Sequence, residues 1–195
     1  MHRRSDVDLL VLSRGPRSAL TAPTEVDIRV YPVDGAEDRI LAGQEVLAWA
    51  VKFGCPLHDP KGIWDAIQRR TADRLPLPSA ESARNRAQKA LAKAREMLVA
   101  GDETAAADLI LASATQFVRE RLILNGIFPA SRPELPKQLR GVSANDPHVQ
   151  LLEDAMYADI APLKMLRRLE AASGPVNNGP QKCNGSGPTD DQIIN

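Results

Sequence analysis

The sequence predicts an α+β protein: a small mixed sheet with helices over residues 1–74, then an all-α antiparallel helical bundle over residues 79–172. Three observations predict it. Two early segments alternate apolar and polar residues with the period of a strand. From residue 79 the text is Ala-rich, with apolar residues at helical spacing. Between the halves, Leu75-Pro76-Leu77-Pro78 reads as a stiff linker, because each proline restricts its predecessor to extended backbone.

Asp6 to Leu12 (DVDLLVL) is the first predicted strand, and a Gly/Pro-containing connection follows it. Glu25 to Tyr31 (EVDIRVY) is the second. Val26, Ile28 and Val30 share one face, and Glu25, Asp27, Arg29 and Tyr31 share the other. Ala36 to Phe53 carries a helical stripe (Ile40, Leu41, Val46, Leu47, Ala50, Val51) that stops at Gly54, a good left-handed terminator. Cys55 to His58 fits a short third strand, with Cys55 as a buried small hydrophobe and His58 at the strand end. Lys61 to Ala72 is a short amphipathic helix with Ile63, Trp64 and Ile67 inward, and Trp49 also sits on a core-facing stripe.

In the second half, Ser79 caps a helix that runs to Ala100 and ends at Gly101, and Asp102 caps the next, which stops at Gly126. The inner face of that second helix is Leu109, Ala112, Phe117 with Gln116 beside it, Leu122 and Ile123. A short helix covers Pro133 to Leu139. The last spans Asp146 to Ala172, with Leu151, Leu152, Ile160, Leu163, Leu166 and Leu169 apolar and Pro162 kinking or splitting it. Residues 173–195 are rich in Gly, Pro, Asn and Ser, and are expected to be disordered for want of apolar surface.

Composition narrows the function. Hydrophobic residues reach 43%, which supports a real core, and 25 basic against 25 acidic residues leave no net charge. A protein built chiefly to neutralise nucleic-acid backbone needs a basic surplus, so strong nucleic-acid binding is not expected. No apolar run suits a membrane span. Cys55 and Cys183 are too few and too far apart for a disulfide framework, so a reducing cytoplasm is the expected location.

The chemistry-bearing text is Ser5-Asp6-Val7-Asp8-Leu9-Leu10-Val11-Leu12, followed by Val26-Asp27-Ile28. On a strand Asp6 and Asp8 point to one face, about 7 Å apart at their Cα atoms. Two carboxylates so placed repel each other and favour a cation between them. Mg²⁺ suits that set, since it takes one or two carboxylates plus substrate phosphate oxygens. If the second strand pairs beside the first, Asp27 joins them, and three acids can hold two ions about 3.5–4 Å apart. Acids alternating with Val or Leu are also what any one-sided strand displays, so spacing alone does not select the metal site.

Ser5 to Leu12 with Val26 to Ile28 resembles the nucleotidyltransferase superfamily of the polymerase-beta type, whose signature is a Gly-Ser turn, an apolar-flanked D-x-[DE] and a third acid in the next strand. Glu45-Val46-Leu47 and Phe53 to Asp59 are similar to the helix and closing strand of small bacterial members. Ala83 to Leu169 is similar to the HEPN-type or substrate-binding helical domain fused to them. The resemblance covers nearly the whole chain apart from the tail, although only its first thirty or so residues are specific. It implies Asp6 and Asp8 as metal ligands, with Asp27 completing the catalytic metal site or acting as base, and Ser5 on the nucleotide side. It implies Mg²⁺, with Mn²⁺ as a substitute, and an NTP as co-substrate. The implied acceptor is a hydroxyl on a small molecule such as an aminoglycoside, or on a Tyr or Ser of a partner protein in a toxin–antitoxin pair. A homo-oligomer is also compatible. The family's phosphate-cradling Gly-Ser turn belongs about ten residues before Asp6, yet no glycine precedes Gly15. Two expectations follow: a frame that continues upstream of Met1, or a degenerate copy that serves as a binding or oligomerisation module with an open sheet edge.

Other residues point elsewhere more weakly. Active HEPN ribonucleases place a His roughly four to six residues after an Arg, for proton transfer. Arg119 and Arg121 are instead followed by Leu124, Asn125, Gly126 and Ile127. His148 is expected at the surface. Arg84, Arg86, Lys89, Lys93 and Arg95 are expected to form a solvated helix face, with RNA contact as the third functional alternative.

Overall fold

The computed structural model describes residues 7–15 and 26–174. It is mostly helical, with a small two-stranded parallel sheet. β1 (Val7–Ser13) and β2 (Val26–Pro32) pair in register from Val7↔Val26 to Ser13↔Pro32. The expected sheet was mixed; among the described residues it is a parallel pair. Alternation decides which side is covered. Leu10, Leu12 and Tyr31 pack on a core of Ala36, Ile40, Leu47, Val51 and Ile67, and Ile63, Trp64 and Leu75 join it.

That core is supplied by α1 (Ala36–Leu41), α2 (Glu45–Phe53) and α3 (Ile63–Thr71). The single helix expected over Ala36 to Phe53 is therefore two. Gly43 adopts φ 79°, the left-handed region that favours glycine. Its N–H donates to the Ile40 carbonyl at 2.9 Å and the Gln44 N–H to the Arg39 carbonyl at 3.0 Å, a Schellman closure that ends α1.

Gly54 ends α2 for a different reason from the one expected. Its φ is −69° with ψ 144°, so it is extended rather than left-handed. A Cβ there would lie 2.4 Å from the Ala50 carbonyl oxygen, so close approach is what requires glycine. Gly54→Ala is expected to destabilise the protein by about 1–3 kcal/mol, the usual cost of overpacking, read as a lower urea midpoint.

The expected third strand at Cys55–His58 does not form, and both residues are exposed in a loop. Pro56 and Pro60 lack the N–H that a ladder needs. Asp59 turns the chain into α3 instead, accepting from the N–H groups of Ile63 at 2.8 Å and Asp65 at 3.1 Å.

The second half is five helices among the described residues: α4 (Ala80–Val99), α5 (Glu103–Leu124), α6 (Leu135–Val142), α7 (Pro147–Tyr157) and α8 (Pro162–Ser173). Side-chain caps start the first two: Ser79 Oγ accepts from Ser82 N–H at 3.0 Å and Asp102 Oδ1 from Ala105 N–H at 2.9 Å. Gly101 and Gly126 follow their C-terminal ends with φ 79° and 74°. A 3₁₀ turn over Arg132–Glu134 precedes α6, and the break before Pro162 separates α7 from α8.

α5 is the hub, touching α4, α6, α7 and α8. It is buried on more than the one face expected: beside the stripe of Ala106, Ile110, Ser113, Ala114, Phe117, Val118 and Leu122, Thr115, Glu120 and Ile123 also lie inside, while Leu109 and Ala112 of the expected inner face are half-buried. Ala83, Ala87 and Ala94 let α4 approach it closely, and buried Ser113 Oγ donates to the Ala87 carbonyl at 2.9 Å. His148, expected at the surface, is 3% exposed, and Leu163, counted in the apolar stripe, is 48% exposed. No helix among the described residues is long and apolar enough to cross a membrane.

Candidate functional site

Parallel register makes Asp8 and Asp27 direct partners on neighbouring strands. Partners in register point to the same face, about 4.8 Å apart in the hydrogen-bonding direction. Both side chains are exposed. They lie on the same face as Leu10, Leu12 and Tyr31, but at the start of the strands, where the helices leave them open to solvent. Ser5 and Asp6 lie outside the described residues.

Arg29 belongs to this face too, two residues beyond Asp27. Its Nε and Nη2 donate to Asp27 Oδ2 at 3.0 and 2.8 Å. The hydrogen bond and charge of Asp27 hold the Arg29 guanidinium still more firmly protonated than usual. Burial opposes this slightly, and Asp8 adds to the hold. Alternation in the sequence sets Arg29 on the face of Asp27, but no role was expected of it there.

Two carboxylates side by side are hard oxygen donors of the kind that suit Mg²⁺. Arg29 occupies Oδ2 of Asp27 and leaves Oδ1 and the Asp8 carboxylate. Among the described residues no group of three or more His, Cys, Asp or Glu side chains gathers as a metal cage. The two acids therefore fit an ion whose remaining ligands come from substrate and water. Because the guanidinium competes for that site, Arg29→Gln is expected to tighten Mn²⁺ binding about three- to tenfold, measured by isothermal titration on the full chain.

The other polar residues singled out by sequence are mostly engaged in ion pairs. Arg84 pairs with Glu120 at 3.5 Å, Arg86 with Glu45 at 2.7 Å and Lys93 with Glu96 at 2.8 Å, while Arg95 pairs with Glu170. Much of the basic run is thus neutralised locally, which leaves less of it for a phosphate backbone. Arg119 binds Glu45 at 3.0 Å and Arg121 meets Asp146 at 3.5 Å. Asn125 Nδ2 donates to the Arg121 carbonyl at 2.8 Å, which occupies it at the end of α5. Trp49 and Trp64 are half-buried.

No family model matches the chain, and neither a curated protein nor a solved structure does.

Proposed function

We propose that the chain is a Mg²⁺-dependent nucleotidyltransferase, moving a nucleoside monophosphate from an NTP to an acceptor hydroxyl on a small molecule or a partner protein. The observation that supports this most is the register pairing of Asp8 with Asp27, both exposed near the start of their strands. In this reading the acceptor oxygen attacks the α-phosphorus, the bond to the α,β-bridging oxygen breaks, and pyrophosphate leaves. Mg²⁺ or Mn²⁺, when bound, supplies neutralisation of the triphosphate. Asp8 and Asp6 hold the cation, and Asp27 completes that site or takes the acceptor proton. Ser5 lies on the nucleotide side. The helical half acts as a HEPN-like bundle that presents the acceptor.

A second reading is favoured by Arg29. A guanidinium seated on Asp27 suits a degenerate copy that keeps the acids as a salt-bridged surface and works as a binding or oligomerisation module. One experiment separates the two: incubation with labelled NTPs and Mg²⁺ or Mn²⁺. Label transfer that disappears in Asp8→Ala and Asp27→Asn supports the enzyme, and inert wild-type protein supports the module.

A further inference from the structure

At the open end of the sheet two carboxylates face one guanidinium. Asp8 and Asp27 are in-register partners, and Arg29 stands two residues beyond Asp27 on the same side. All three are exposed, whereas Leu10, Leu12 and Tyr31, on that side too, pack on the helical core. Arg29 thus marks the border between the open acids and the covered part of the sheet.

The contact between Arg29 and Asp27 uses only part of each group. Nε and Nη2 both donate to Oδ2, at 3.0 and 2.8 Å, and Nη1 has no hydrogen-bond partner among the described residues. Two donors converge on one oxygen, so the pair lacks the two-oxygen match of a bidentate fork. The side chains are 47% and 49% exposed, so solvent screens the pair and little holds it closed.

We propose that Arg29 is a latch that passes from Asp27 to the polyphosphate of the incoming nucleotide, so that cation and nucleotide enter the site together. The inference rests on the metal and nucleotide site of the transferase reading, and names the residue that grips the co-substrate there. Asp27 has one negative charge to share, so engaging a divalent cation weakens its hold on the guanidinium. A released guanidinium presents a planar fork, which phosphate oxygens fill in bidentate fashion and Oδ2 alone does not. Charge points the same way. Asp8 and Asp27 repel a polyanion, and Arg29 offsets one of the two. Without nucleotide, Arg29 returns to Oδ2 and holds Asp27 against a bare cation. By linkage, cation and nucleotide raise each other's affinity by the same factor.

Calorimetric titration of the full chain with Mn²⁺ alone and with Mn²⁺–ATP reads two affinities that respond in opposite directions. In Arg29→Gln, Mn²⁺ alone is expected to bind about three- to tenfold more tightly, because Asp27 is unblocked. Mn²⁺–ATP is expected to bind about five- to tenfold more weakly, because loss of the fork outweighs that gain. Arg29→Lys keeps the charge without the fork, and is expected to return Mn²⁺ alone to near wild type and to restore Mn²⁺–ATP in part. Lys164→Gln on α8 is expected to change neither. A salt bridge that never opens moves both affinities the same way. Wild type that binds no Mn²⁺–ATP, or Arg29→Gln that binds it as tightly as wild type, would overturn the latch. Label transfer separates this outcome from the larger one. Transfer that persists while Mn²⁺–ATP affinity ignores Arg29 sinks the latch alone, and opposite shifts without any transfer sink the transferase reading alone.

Discussion

Asp27→Asn is expected to lower nucleotidyl transfer by about 10³-fold or more while leaving the fold intact. The loss follows from charge. Asparagine keeps the shape of aspartate but offers a neutral oxygen, and charge stabilisation at a transferring phosphoryl group is worth several kcal/mol, each 1.4 or so of which is about a factor of ten in rate. The fold tolerates the change because the side chain is exposed, with 49% of its surface in solvent, and its bond to Arg29 is an open surface pair. Such pairs contribute about 0–1 kcal/mol. The urea midpoint of Asp27→Asn should therefore match wild type closely while label transfer vanishes. Asp8→Ala should behave in the same way. Transfer retained at more than about a tenth of the wild-type rate would remove this face of the sheet from the chemistry.

Alternation put Asp6 and Asp8 on one side of their strand before any coordinates, but left Asp27 to join them only if the second strand paired beside the first. What alternation could not supply was the relative direction and register of the strands, since those depend on the connection between them. Parallel pairing with Val7 opposite Val26 is what makes Asp8 and Asp27 direct neighbours. Arg29 stood on the correct face in the sequence, yet its partner was not drawn, because a rule for faces says nothing about which charges find each other along one.

The helical half was legible where local chemistry decides. Ser79, Asp102, Gly101 and Gly126 mark helix ends through backbone groups within three or four residues, and each sits at the end expected. Errors arose where distant packing decides. Gly43 divides a stripe whose apolar spacing runs on unbroken, and a Cβ there would press within 3.3 Å of Pro76, a residue far along the chain. Cys55 to His58 has strand-like text, but no partner strand meets it among the described residues and Asp59 claims the chain for α3. The ion pairs of Glu45 with Arg86 and Arg119 join residues 41 and 74 positions apart, a relation that no local pattern encodes.

His148 is the most instructive of these, because the reason for its burial leads to the second large effect. Asp146→Ala is expected to destabilise the protein by about 2–4 kcal/mol. The carboxylate does three things at once. Oδ1 accepts from the His148 backbone N–H at 2.9 Å, capping α7, and lies 2.9 Å from His148 Nδ1. Oδ2 faces Arg121 Nε of α5 at 3.5 Å. A carboxylate can only accept, so Nδ1 carries the proton and the ring is held in one tautomer against Phe117, with centroids 5.5 Å apart. Without Asp146 the cap is lost, at about 1 kcal/mol, and a ring N–H buried at 3% exposure loses its acceptor, at about 1–3 kcal/mol more. Asp146→Asn separates the parts. Its amide oxygen still caps and still accepts from Nδ1, and only the ion pair with half-exposed Arg121 weakens, so it should lose less than about 1 kcal/mol. Urea denaturation followed by far-ultraviolet circular dichroism measures both variants. If alanine and asparagine cost the same, the histidine is held by its packing on Phe117 alone, and the polar contact between α7 and α5 contributes nothing to the core it lies beside.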